Sequence, residues 1–476
     1  MDKKALRNAL IVVAVGIVLA IIPVPAGLQP NAWYYFALFA AAILGLILEP
    51  IPTAAVGLVA VTLAMVLCLV TPGKPKDSIA WMLSGFANTT VWLIFTAYMF
   101  AKGYEKSGLG RRIALVLVKL LGKRTLGLGY AIALADLVVA PGTPSNTARS
   151  GGTIYPILAN IPPLYASKPN DPSARKIGSY LMWTALAITC VTSSMFLTAL
   201  APNPLALDLV NKATKVTFTW TDWMVGFLPV GVVLFLLVPL LVYKIYPPEI
   251  KVSSEVPVWA GKELGLMGSI SRNEIVMGIL VILALGLWIF AADYIDTTAV
   301  ALLVLSLMVL TNVLNWEDVV TNKNAWNVLV WFATLVTLAD GLNKVGFLTW
   351  FAKAVSAALT GIPVVAMMVL FVALFFLIHY MFASLTAHTT ALLPVILAAA
   401  IAVPGMPVKP LVLLLCYTLG LMGILTPYAT GPSPIYYGSG YITRKDFWVL
   451  GLVFGVIFLA VLLIIGGPWL MMLYPS

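Results

Sequence analysis

Apolar runs of 17 or more residues recur along the whole chain, separated by short segments that hold nearly all of the charged positions. Coiled as a helix, a run of that length crosses a hydrocarbon core about 30 Å thick. The pattern predicts eleven crossings, at about residues 9–27, 32–49, 54–71, 87–104, 176–197, 222–246, 273–291, 297–313, 325–341, 409–425 and 446–472. Two segments, 125–160 and 362–402, are each too long for one crossing and are interrupted by polar and Gly/Pro-rich stretches. Both read as re-entrant hairpins. Lipid offers backbone N–H and C=O groups no partner, so irregular backbone at that depth must be buried in protein or line a wet cavity. The hairpin tips are therefore candidate sites.

The two halves of the chain resemble each other. Ile51-Pro-Thr-Ala-Ala-Val56 matches Ile295-Asp-Thr-Thr-Ala-Val300, and Ala101-Lys-Gly-Tyr-Glu-Lys-Ser-Gly108 matches Ala339-Asp-Gly-Leu-Asn-Lys-Val-Gly346. Asp222 with Gly231 pairs in the same order with Asp446 and Gly455. These matches predict an extra N-terminal helix (1–30), a first repeat (31–250) and a second repeat (270–476). Five crossings and one same-side hairpin per repeat invert the second copy, which is the organisation of many secondary transporters. The expected fold is an all-α polytopic membrane protein of eleven helices and two re-entrant hairpins.

Composition narrows the reading. Hydrophobic residues make up 61% and charged residues 10%, against about 25% charged in a soluble domain. The net charge of +10 lies in short segments between crossings and forms no nucleic-acid face. With the N-terminus in the cytoplasm, 20 of the 28 Lys and Arg fall on inside segments and 7 on outside ones, as the positive-inside rule asks of a cytoplasmic-membrane protein. Only Arg149 remains, within the first hairpin. Residues 111–121 suggest an amphipathic interfacial helix. Cys68, Cys190 and Cys416 are isolated in sequence, and no metal-ligand spacing or cofactor motif is present. Two histidines, no HExxH and no paired intramembrane aspartates speak against a membrane-embedded enzyme. An anion channel differs in that its flux ignores substrate on the far side.

The first hairpin reads Thr143-Pro-Ser-Asn-Thr-Ala-Arg149 and the second Phe382-Ala-Ser-Leu-Thr-Ala-His388. Ser145 stands with Ser384, Thr147 with Thr386, and Arg149 with His388, and the two tips are expected to converge on one cavity. A helix broken by proline follows each hairpin, at Thr198–Pro204 and at Thr426–Pro432. Half-helix N-termini with nearby hydroxyls suit a carboxylate. Arg149 needs a partner at membrane depth, either Asp136 on the other arm of its hairpin or a substrate carboxylate. His388 is read as a site residue through its match to Arg149, whereas His379 and Asp136 are read as structural. The expected substrate site is Ser145, Asn146, Thr147 and Arg149, with Ser384, Thr386 and His388, closed by Thr426 and Pro427.

At these motifs, and in AWYYFALFAAAILGLILEPIP, GYEKSGLGRRIALVLVK, APGTPSNTARSGG and LTPYATGPSPIYYGSGY, the chain resembles the divalent anion/sodium symporter (INDY-type) family over nearly its full length. Within it, the chain is most similar to the exchanger branch of bacterial citrate/succinate and tartrate/succinate antiporters and plastid 2-oxoglutarate/malate translocators. The resemblance implies a homodimer, each subunit with a fixed scaffold and a transport domain that moves as an elevator. It also implies that Ser-Asn-Thr tips bind dicarboxylate and, in coupled relatives, sodium. Here the second tip reads Ser384-Leu385-Thr386, and leucine cannot coordinate sodium. The reading is therefore sodium-independent antiport of a C4 or C5 dicarboxylate such as succinate, fumarate, malate or 2-oxoglutarate, with Arg149 and His388 standing in for coupled cations. A sodium-coupled symporter is the alternative.

Overall fold

The computed structural model describes residues 3–356 and 361–475 and is all-helical in its architecture. The first half comprises α1 (Lys3–Ile21), α2 (Pro30–Leu48), α3 (Thr53–Val66), α4 (Pro75–Leu83), α5 (Thr89–Ser107), α6 (Leu109–Leu121) and α7 (Thr125–Val139). A wide helical turn over Thr147–Ile154 then runs into α8 (Tyr155–Leu158), followed by α9 (Gly178–Met195), α10 (Pro202–Thr214) and α11 (Trp220–Ile245). A connecting helix, α12 (Glu255–Met267), leads into the second half. There α13 (Arg272–Phe290), α14 (Thr297–Leu310), α15 (Trp316–Val320), α16 (Lys323–Lys344), α17 (Phe347–Ser356), α18 (Val364–Ile378) and α19 (Leu385–Ile401) are followed by α20 (Val408–Leu421), α21 (Pro432–Gly438), α22 (Arg444–Val461) and α23 (Gly467–Leu473).

Among the described residues, nine helices are long and apolar enough to cross a membrane, and four shorter apolar ones accompany them. The chain is a multi-pass membrane protein. A helix occupies each of the eleven predicted crossings and each arm of both hairpin segments. The differences lie at the ends, where turn chemistry outweighs apolar length. The first crossing stops at Ile21, before Pro23 and Pro25, and the third stops at Val66, where Cys68 takes a left-handed conformation. The short helices α4, α10, α12, α15 and α17 lie outside the span pattern.

Like elements follow one another in both halves and start in the same way. Asn88 caps α5 through Val91 N and Asn322 caps α16 through Ala325 N. Thr219 caps α11 through Asp222 N and Thr443 caps α22 through Asp446 N. Side-chain caps of this kind satisfy the orphan N–H groups of a first turn and fix where the helix begins. The packing is reciprocal: α16 lies on α3, and α5 on α14. At the first of these contacts a Cβ on Gly57 would meet Thr334 Oγ1 at 2.2 Å, so only glycine permits the approach.

The helices α9 and α20 pack against each other at the centre, and every residue of α9 is buried. Helix α6 is amphipathic as expected, with Gly110, Ala114, Leu115 and Val118 on its buried face. It packs on α12, where Arg111 meets Glu263 at 2.8 Å, while Arg112 meets Glu274 of α13 at 2.5 Å. The connection between the halves is thus held against the first hairpin's entry.

Candidate functional site

Both hairpins turn by the same local means. After α7, Ala140–Gly142 makes a tight turn and Thr143 is extended; after α18, His379–Met381 and Phe382 do the same. A serine then opens the second arm. Ser145 Oγ accepts from Ala148 N at 3.2 Å, and Ser384 Oγ accepts from Ala387 N at 3.3 Å. One residue further on, Arg149 N and His388 N donate to the backbone oxygens of those serines at 2.9 and 3.0 Å. The backbones match; the surroundings of the two side chains do not.

Arg149 is fully buried. Its Nε donates to Asp136 Oδ2 at 3.1 Å, and its Nη1 to the carbonyls of Thr143 (2.9 Å) and Ala199 (2.8 Å). Its Nη2 faces the hydroxyls of Thr189, Thr192 and Ser193 at 3.4, 3.3 and 3.0 Å. A guanidinium has five N–H donors, and these protein groups occupy all of them. Arg149 is thus placed against Asp136, one of the two partners expected of it. It neutralises Asp136 and ties the first tip to α9 and to the break at Leu197–Ala199, because in a dry interior a paired charge with satisfied donors is far cheaper than one aimed at an intermittent ligand.

His388, the matched residue of the second tip, has different surroundings. It is fully buried, its two ring nitrogens have no partner among the described residues, and its ring lies against Phe375 (4.4 Å between centroids), His379 (5.0 Å) and Phe382 (5.1 Å). The socket that holds it is built from rings. His379 sits beside it with Nε2 at 2.8 Å from the carbonyl of Ala429, consistent with a structural role.

A cavity of about 730 Å³ reaches the first tip, and its walls include Tyr98, Thr143, Ser145, Thr147 and Gly151. Ser145 is half-buried and Thr147 exposed into this space. Asn146 turns aside and donates from Nδ2 to Thr430 Oγ1 at 2.8 Å. Beside it Gly431 approaches so closely that a Cβ there would lie 1.8 Å from Thr147 Oγ1. Ser150 and the Tyr436 hydroxyl pair at 2.8 Å. The first tip therefore rests on the second broken helix.

The cavity that reaches the first tip is not walled by the second. Ser384 is half-buried and Thr386 buried, and neither forms a wall of this space; nor do Thr426 and Pro427. The Thr426 hydroxyl instead accepts from Tyr428 N at 3.3 Å within its own turn. Between the tips lies the second break, whose Thr430 holds Asn146 and whose Ala429 carbonyl holds His379. Thr430 and Tyr98 were missed from sequence. Thr430 lies within the proline-broken segment, but nothing local distinguished it from Thr426. No group of three or more His, Cys, Asp or Glu side chains among the described residues could hold a metal ion.

Residues 3–475 match the family described as the sodium:sulfate symporter transmembrane region. The L-tartrate/succinate antiporter of Escherichia coli (strain K12) is 50% identical over 468 residues, which covers 96% of each chain. The citrate/succinate antiporter of the same strain is 50% identical over 466 residues, again with 96% of each chain covered. Among solved structures, the Alcanivorax borkumensis YdaH transporter superposes with a TM-score of 0.55 at 17% identity, over 85% of this chain and 91% of that one, a likeness of fold alone.

Proposed function

Because this chain belongs to the sodium:sulfate symporter transmembrane family, and is thus a transporter and not an enzyme, we propose that it exchanges small dicarboxylates across the cytoplasmic membrane. The observation that carries the reading is the cavity of about 730 Å³ that ends on the Ser145 and Thr147 hydroxyls, with the first turn of the hairpin's second arm behind them. Hydroxyls and free N–H groups at a helix start bind carboxylate oxygens. Succinate, which both antiporters named above carry in their names, is the first candidate substrate, with fumarate, malate and 2-oxoglutarate as chemical kin.

In this reading Ser145, Asn146 and Thr147 receive one carboxylate, and Ser384 and Thr386 serve the other when the second tip faces the substrate path. The like order of elements, the like caps and the reciprocal packing of α3 on α16 and α5 on α14 support two inverted repeats. An elevator movement of the hairpins against the remaining helices, a homodimer, and a cytoplasmic N-terminus complete the proposal. Sodium independence rests on Leu385, which stands where the first tip has Asn146. A sodium-coupled symporter is the second reading, favoured by the intact Ser145-Asn146-Thr147 tip.

Uptake of labelled succinate and 2-oxoglutarate into proteoliposomes tests both, with and without internal dicarboxylate, each in sodium and in choline. Uptake that requires internal substrate and ignores the cation is the expected result. Sodium-driven uptake into empty vesicles would replace exchange with symport.

A further inference from the structure

Arg149 is paired with Asp136 and His388 is packed among rings, and neither lines the cavity. A dianion entering a low-dielectric protein nevertheless needs cations near its path. Two lysines, Lys102 and Lys323, line the cavity together with Glu105 and Asp318, a third, Lys106, meets Asp318, and the structure binds each lysine differently. Lys106 pairs closely with Asp318, and that carboxylate also accepts from Asn315 N at 2.8 Å, closing the capping box at the start of α15. Partial burial works to raise the Asp318 pKa, yet the Lys106 ammonium and the Asn315 N–H hold it below the ordinary carboxylate range. Lys106 is fixed in place.

Lys102 is held loosely. Its partner Glu105 lies at 3.2 Å one turn along the same helix, with the glutamate side chain 71% exposed. An exposed pair of this kind contributes only about 0–1 kcal/mol, which a dianion can displace. Lys323 is exposed and forms no ion pair among the described residues. It stands on the cavity wall with Asn322 and Asn324 at the N-terminal turn of α16, where the positive end of the helix dipole adds to its field. At the matched position of the second half, Lys102 is replaced by Asp340, which pairs with Lys344 at 2.9 Å. The arrangement is one-sided.

Resting on the exchange reading above, we propose that Lys323 and Lys102 form a receiving vestibule for the dicarboxylate at one membrane face only, the face read as cytoplasmic. Lys323 is the standing cation, and Lys102 joins it by leaving Glu105 when the dianion arrives. The ligand's second carboxylate then points at the Ser145 and Thr147 hydroxyls across the same cavity.

The test is KM for succinate measured separately at each face, in proteoliposomes whose orientation is fixed by protease accessibility, at low and high ionic strength. Lys323→Ala and Lys102→Ala are expected to raise KM about fivefold to tenfold at the vestibular face, with maximal rate and the opposite KM unchanged, and high salt should shrink the difference. Lys323→Arg should restore it, and Lys344→Ala should leave the vestibular KM alone. Unchanged KM in both lysine variants, an equal rise at both faces, or an equal effect of Lys344→Ala would overturn the vestibule while leaving exchange standing. Absence of any dicarboxylate exchange by the unaltered protein would overturn the exchange reading and the vestibule with it.

Discussion

The two hairpin tips share a backbone and differ in what holds them. The first is anchored by a buried guanidinium that reaches a carboxylate, two carbonyls and three hydroxyls. At the corresponding place in the second, an imidazole is packed by rings, and Phe375 stands to His388 as Asp136 stands to Arg149, thirteen residues earlier in the chain. A polar socket fixes direction as well as distance, because each hydrogen bond has a required angle. A ring cluster fixes little beyond volume. The comparison teaches that one and the same turn can be held in place in two different ways.

The largest test of that difference is removal of Arg149. Arg149→Ala leaves Asp136 charged and unpaired in a dry interior, a loss of about 3–5 kcal/mol. A sharp fall in melting temperature and in monodisperse yield is expected, with partial recovery in the Arg149→Leu, Asp136→Leu double variant. A variant that melts like the parent but exchanges nothing would return Arg149 to the substrate site.

Next in size are the cavity hydroxyls. Thr147→Ala should lower exchange at subsaturating substrate about tenfold to a hundredfold, the value of a hydrogen bond to a charged group of about 1.5–3 kcal/mol. Melting temperature should hardly move, since Thr147 is exposed. Thr386→Ala, measured at the same face, should cost less; equal losses would mean that both tips serve the substrate alike.

Thr430→Val removes the acceptor of the Asn146 amide, and about 1 kcal/mol of stability with it. Thermal shift reads the stability, and exchange rate reads whether the tip has loosened against the second break. The smallest effect is expected at His388→Phe, which puts a ring of similar shape among Phe375, His379 and Phe382 and removes two unpartnered nitrogens. Stability within about 1 kcal/mol of the parent, or slightly above it, is the expected outcome. Loss of exchange in a stable His388→Phe protein would restore His388 as a site cation.

Much of this architecture was legible beforehand. Each predicted crossing carries a helix, and helices fill both arms of the two predicted hairpin segments, because span length and proline act through the nearest few residues. The matched Asp222 and Asp446 prove to sit in the capped first turns of α11 and α22, a role not read from the sequence. The site was legible only in part. Ser145 and Thr147 line the cavity, whereas Asn146 turns to Thr430, 284 residues away, and Ser384, Thr386, Thr426 and Pro427 lie off its walls.

By itself, then, the sequence determined an all-helical membrane chain, the places where its helices break, and which residue types stand at the tips. Only the tertiary structure decided that Arg149 faces Asp136, Thr189, Thr192 and Ser193, that His388 faces rings, and that Lys323 is left to meet an anion. The reason is physical: local backbone conformation is set by neighbours in sequence, but the direction of a charged side chain in a membrane is set by where the nearest partner lies in space, and that partner comes from another helix.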